Sequence, residues 1–171
     1  MIVADATVLV ALSKMGRLVL LRDVYGRVII GEVVKIEVLD QGKAISAPGV
    51  EQIERALEER WVRVVRLAAK ERRLMRRILR NTRLDEGEAE SLSLAHGRKL
   101  RLIVDDKQAR ALAATLGIAY LGTAGMLLAA CLRGHISLEE LEEAVRNLSR
   151  VMWLSPSVVA EILRVAREAK A

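Results

Sequence analysis

Leu102-Ile103-Val104-Asp105-Asp106 is an apolar run closed by two acids, and Met1-Ile2-Val3-Ala4-Asp5 repeats the pattern with one. Each reads as a short buried strand that delivers a carboxylate to its carboxyl end and passes at once into a helix. In open parallel sheets that edge is where ligands bind. Two such strands side by side would gather three carboxylates around a point that only a cation neutralises. The pattern therefore predicts a metal-dependent site.

Working outward, apolar runs and helical periodicity alternate along the chain. Strands are expected at Met1–Ala4, Arg27–Ile30, Trp61–Arg66, Arg101–Val104 and Ile118–Leu121. Helices are expected at Val8–Lys14, Leu18–Tyr25, Val33–Asp40, Val50–Glu59, Ala69–Asn81, Glu86–His96, Gln108–Leu116, Ala124–Arg133, Leu138–Leu148 and Ser157–Ala169. Strands separated by helical crossovers predict a parallel α/β fold. The arginines of the third strand place it at an edge. The last two helices follow no further strand, so residues 137–171 are expected to pack as a hairpin on a core formed by residues 1–136.

At 171 residues the chain fits one domain with a sizeable core. Phe is absent and only four aromatics are present, so that core is aliphatic and base-stacking platforms are not expected. One cysteine, Cys131, forms no intrachain disulfide, fits a reducing compartment and reads as a small buried thiol. Two Asn and three Gln among many Arg and Glu lean towards a thermophilic source. Met1 runs straight into a strand, which argues against a signal peptide. Ala111 to Leu132 carries no charge and is long enough to span a bilayer, but Gly117, Gly122 and Gly125 divide it into a helix–strand–helix unit. A cytoplasmic protein without a membrane span is expected.

The net charge of +6 is uneven: ten basic residues and one acid, Glu71, lie between Arg60 and Arg83. Leu74, Met75, Ile78 and Leu79 share one face of a helix, while Arg72, Arg73, Arg76, Arg77 and Arg80 share the other. An ordinary solvated face competes with a polyanion-binding one. The near-absence of interleaved Glu keeps nucleic acid in view.

Other acids stand where apolar residues belong. Glu37 shares a face with Val33 and Val34, where a carboxylate is costly unless paired, and an arginine partner is the ordinary solution. Glu88 stacks over Leu92 and Ala95, while Glu86 and Glu90 are expected to project the other way. Asp85 with Glu88 also fits a capping box. Asp5, and Asp105 or Asp106, could equally be helix N-caps.

With these residues in view, the chain resembles the PIN-domain nucleases, and most closely their prokaryotic branch related to the VapC toxin ribonucleases of toxin–antitoxin pairs. The resemblance is carried in order by Val3-Ala4-Asp5-Ala6-Thr7-Val8-Leu9, Gly31-Glu32-Val33-Val34-Lys35-Ile36-Glu37-Val38, Leu84-Asp85-Glu86-Gly87-Glu88-Ala89-Glu90, Ile103-Val104-Asp105-Asp106-Lys107-Gln108-Ala109-Arg110 and Leu121-Gly122-Thr123-Ala124-Gly125. It implies a three-layer α/β/α domain around a central, mainly parallel five-stranded sheet. It also implies Mg²⁺- or Mn²⁺-dependent cleavage of RNA phosphodiester bonds. Asp5, Glu37, Glu88 and Asp105, with Asp106 beside them, would be the catalytic acids; Asp5, Glu88, Asp105 and Asp106 would hold metal. Thr7 would support them by a hydroxyl hydrogen bond or through metal-bound water. Gly31 departs from the proline often found there in relatives. A homodimer and a small helical antitoxin are the partners such relatives have.

Hard divalent cations do prefer carboxylate oxygen. His96 and His135 sit beside turns and read as surface residues, not an acid–base pair. A PIN-like module that binds RNA or protein without cutting is the competing function. A phospho-acceptor domain fits less well, because there the Asp pair follows the first strand and the order here is reversed.

Overall fold

Ile2–Ala4 forms the first strand, β1, and its residues are fully buried, as suits a strand covered on both faces. The structure is a computed structural model that describes residues 1–41 and 48–170. After β1 come α1 (Ala6–Lys14), α2 (Val19–Tyr25), β2 (Val28–Ile30) and α3 (Glu32–Lys35), which continues as a π-helical segment over Ile36–Gln41. Then follow α4 (Val50–Glu58), β3 (Val62–Val64), α5 (Ala69–Asn81) and α6 (Glu86–Arg98). The chain ends with β4 (Leu102–Ile103), α7 (Lys107–Thr115), β5 (Tyr120–Leu121), α8 (Thr123–Leu132), α9 (Leu138–Val151) and α10 (Pro156–Lys170).

The five strands are all parallel in the order β3-β2-β1-β4-β5. Side chains alternate across the sheet with the period of two that pleating imposes. Ile2, Ala4, Val28, Ile30 and Ile103 point into one apolar cluster, shared with α1, α2, α4 and α8 to α10. Val3, Ile29, Leu102 and Val104 point into the other, shared with α5, α6 and α7. The result is the expected three-layer α/β/α arrangement. α9 and α10 pack on each other and on α8; Ala171, the last residue of the expected hairpin, lies outside the described residues.

The chain winds outward from β1 to β3, then returns to place β4 on the other side of β1, with Val3 opposite Leu102 and Ala4 opposite Ile103. The winding direction thus reverses between β1 and β4, the switch point at which α/β sheets open a crevice for ligand. Asp5 ends one of these strands; Asp105 and Asp106 follow the other.

Several elements differ from their expected bounds. β3 keeps only Val62–Val64 of Trp61–Arg66, and as an outer strand it leaves Arg63 and Val64 exposed. β5 keeps only Tyr120 and Leu121 of Ile118–Leu121. The helix expected over Val33–Asp40 is α-helical for one turn only before it widens. Among the described residues no helix is long and apolar enough to cross a membrane, and Ala111 to Leu132 resolves into α7, β5 and α8 with Met126, Leu127 and Cys131 in the core. Trp61 and Met126 occupy core space in a protein without Phe.

Candidate active site at the carboxyl edge of the sheet

Asp5 sits where β1 meets α1. Its backbone N–H donates to Ile103 O at 3.2 Å, so the strand pairing itself fixes the residue beside β4. Its Oδ1 accepts the Ala6 N–H at 2.7 Å, the capping role that the sequence also allowed. Only 3% of Asp5 is exposed. Burial, chiefly, pushes its carboxyl up to about 7, aided by the negative charges of Glu88, Asp85 and Glu37 and opposed by the Ala6 hydrogen bond. Among the described residues, the charged groups acting on it are all acids.

Glu37 arrives from the π-helical segment and is half-buried. Its carboxylate lies against Gly87 in the first turn of α6: a Cβ built there would stand 2.7 Å from both Glu37 oxygens. Burial raises its carboxyl to about 6, with Asp85, Glu90, Glu88 and Glu86 adding to the effect. The arginine partner expected as the ordinary solution is absent: among the described residues neither Asp5 nor Glu37 nor Glu88 forms a salt bridge.

Glu88 and Asp85 make the capping box read from the sequence. Glu88 N–H donates to Asp85 Oδ1 at 2.8 Å, and Asp85 N–H donates to Glu88 Oε2 at 3.0 Å. This turns the Glu88 carboxylate back to the start of α6, on the side of Asp5. Burial raises its carboxyl, as do the charges of Asp85 and Asp106.

The adjacent aspartates divide their work. Asp105, half-buried, accepts from Thr123 N at 2.9 Å and from the Thr123 hydroxyl at 2.5 Å. Since α8 begins after Gly122, which has no capping side chain, Asp105 supplies that cap from another strand. Asp106 is exposed and caps α7 through the Ala109 N–H at 2.7 Å. A carboxylate has about four acceptor sites, so these bonds leave lone pairs available on both. Thr7 is exposed on the first turn of α1 and makes no hydrogen bond with a site acid among the described residues; it borders a hollow of about 240 Å³ together with Lys14 and Glu37.

Two residues escaped the sequence reading. Thr123 is fully buried and holds Asp105; its signal was the hydroxyl following Leu121-Gly122. Glu90, expected to project away from the core, is 3% exposed. Its Oε2 accepts Val33 N–H at 3.0 Å and Val34 N–H at 3.1 Å, capping α3 where Gly31 has no side chain to do so. The correction has a plain cause: α6 packs against the sheet, α3 and α5 together, so Ala89 through Ala95 are all buried and the helix has no polar face at that point. A Cβ on residue 31 would fall 1.8 Å from Glu90 Cδ, which explains why glycine, and not proline, stands there.

The arginines Arg72, Arg73, Arg76, Arg77 and Arg80 are exposed on α5. Arg72 donates to Leu67 O, and none of the five forms a salt bridge among the described residues. α5 ends at Asn81, four residues before Asp85. Both histidines are exposed, and Cys131 is buried, as expected.

As placed, no three Asp, Glu, His or Cys side chains among the described residues close on a point that would hold a metal ion. The donor chemistry nevertheless fits one. Asp5 is a buried acid among further acids, and with its carboxyl raised to about 7 it relieves their repulsion by holding a proton below that pH; a hard divalent ion is the alternative way to relieve it.

Fold and edge together define a parallel α/β/α domain with an acidic centre at its topological switch point. A family profile described as a PIN domain matches residues 1–168, and the chain belongs to that family. PIN domains are generally nucleases, hydrolases of phosphodiester bonds that typically use divalent metals. No curated protein matches the chain.

Proposed function

We propose that the protein is a Mg²⁺- or Mn²⁺-dependent endoribonuclease, the toxin half of a toxin–antitoxin pair. One observation carries the catalytic reading: Asp5, buried at the switch point with its carboxyl raised to about 7, has only other acids as charged neighbours among the described residues. Asp5, Glu88, Asp105 and Asp106 would hold the ion, which when bound supplies water activation and neutralises charge developing on the phosphate.

The chain's own groups have separable tasks. Thr123 holds both oxygens of the Asp105 carboxylate, through its N–H and its hydroxyl, and so fixes the orientation of that acid. Glu37, with its carboxyl raised to about 6, is suited to take a proton from an attacking water near neutral pH. The uncompensated arginines of α5 supply attraction for a phosphate backbone. The toxin role follows from the likeness in motif order to VapC-type proteins, with a small antitoxin, a second copy of the chain and a cytoplasmic setting as its companions.

Cleavage of a labelled structured RNA with Mn²⁺, Mg²⁺ or EDTA, by wild type and Asp5→Asn, tests the reading. Metal-requiring cleavage that vanishes in Asp5→Asn, with the fold intact by circular dichroism, is expected. RNA binding without any cleavage would favour a non-catalytic PIN module instead. Growth arrest on induction of wild type but not of Asp5→Asn tests the toxin role.

A further inference from the structure

The five arginines of α5 are not equivalent. Arg73 and Arg77, one turn apart, line a hollow of about 720 Å³ between α5 and α6, together with Lys70 and His96; Arg72, Arg76 and Arg80 stand outside it. We infer that this hollow is a second RNA subsite, seating a backbone phosphate of the strand some distance from the acids. The inference rests on the ribonuclease reading for the identity of the strand, though not on cleavage.

Its charged lining favours an anion. Glu71 is the one acid that lines it, and that charge is spent inward: Oε2 accepts Ala68 N–H at 2.6 Å, and Oε1 pairs with Arg98 Nε at 3.1 Å. Gly97 leaves room for this arrangement, since a Cβ there would come 2.6 Å from Glu71 Cγ. Lys70, Arg73 and Arg77 form no salt bridge among the described residues, so three cationic side chains border one concavity whose acid, Glu71, is already paired with Arg98. His96 Nδ1 lies 3.2 Å from Leu116 O, an atom that only accepts; the ring therefore donates there and is held in place. Convergent, uncompensated donors in a concave wall are what a phosphate needs.

The position suits a strand that also reaches the acids. Glu88 and His96 are eight residues apart on α6, about 12 Å at the rise of a helix. That is a span of a few nucleotides of single strand. The same donors would accept a free mononucleotide or inorganic phosphate, so the test separates these sources.

Binding of a labelled single-stranded 12-nucleotide RNA is measured in EDTA, so that loss of cleavage cannot masquerade as loss of binding. Wild type is compared with Arg73→Gln/Arg77→Gln and with Arg76→Gln/Arg80→Gln, which remove equal charge from exposed positions of one helix. The first pair is expected to weaken binding tenfold or more and to lower the salt slope by about 0.7, one single-strand phosphate contact. The second pair is expected to weaken it less than threefold. Equal losses in both would overturn the subsite, leaving a featureless charged face. Saturable binding of AMP or phosphate that is lost in Arg73→Gln/Arg77→Gln while RNA affinity is unchanged would reassign the hollow to a free nucleotide. Because metal plays no part, discrimination between the pairs would stand even if the protein never cut RNA.

Discussion

Replacing Gly31 with alanine should disturb a carboxylate fifty-nine positions away in sequence and a bond's length away in space. The new Cβ would fall 1.8 Å from Glu90 Cδ, so Glu90 must leave. With it go the acceptors of Val33 N–H and Val34 N–H. Hydrogen bonds to charged groups contribute about 1.5–3 kcal/mol each. Burial raises the Glu90 carboxyl, so removing the charge returns part of that sum. Glu90→Ala alone should therefore cost on the order of 2 kcal/mol. Gly31→Ala loses the same bonds and also strands a buried carboxylate, for about 3 kcal/mol or more. In the Glu90→Ala background the clash is gone, and residue 31 has φ −85°, which alanine adopts freely. There Gly31→Ala should be neutral or stabilise by about 0.5 kcal/mol through the unfolded chain. Urea unfolding of the four proteins gives the coupling directly. A double-mutant cycle additive within about 0.5 kcal/mol would refute the contact as the reason for glycine.

The buried Asp5 gives a pH signature. Its native value of about 7 exceeds the ordinary 3.8, so between about pH 4 and 7 the folded state keeps a proton that the unfolded chain has released. Metal-free stability should fall as pH rises through that window, by on the order of 4 kcal/mol in all. Asp5→Asn removes the penalty and should melt above wild type at pH 8 in EDTA, with the gap closing towards pH 4; a lower melting point at pH 8 would contradict the burial argument. Gly87→Ala should separate stability from activity. Alanine favours the helix by about 1 kcal/mol, yet its Cβ would displace Glu37, so cleavage should drop tenfold or more while urea unfolding shows no loss. Full activity in that variant would remove Glu37 from the reaction.

The layers of this fold are visible in the sequence because the strands, β3 with its Arg63 apart, are apolar runs too short for a helix and each is followed by a 3.6-residue pattern. Asp5, Asp105 and Asp106 were legible for the same reason: position at a strand's end is a property of order along the chain. Glu90 was not, because helical-wheel reasoning assumes one buried face, and α6 is wrapped on several sides. The widening of α3 into a π-helical segment was equally hidden, since nothing local in Ile36-Glu37-Val38-Leu39 distinguishes the two hydrogen-bond patterns. Thr123 carries its meaning only once β4 and β5 are adjacent.

Glycine and acid recur as partners in this molecule: Gly31 with Glu90, Gly87 with Glu37, Gly97 with Glu71 and Gly122 with Asp105. In each pair a missing side chain leaves the volume that a carboxylate occupies. Such pairs are locked against single changes in either order, since the glycine cannot grow while the acid remains. Among descendants of one ancestor they should therefore drift together, with a larger residue at the glycine position appearing where the acid has already shortened. The two halves of this chain, residues 31 and 37 on one side and 87 and 90 on the other, would then carry a record of each other's history.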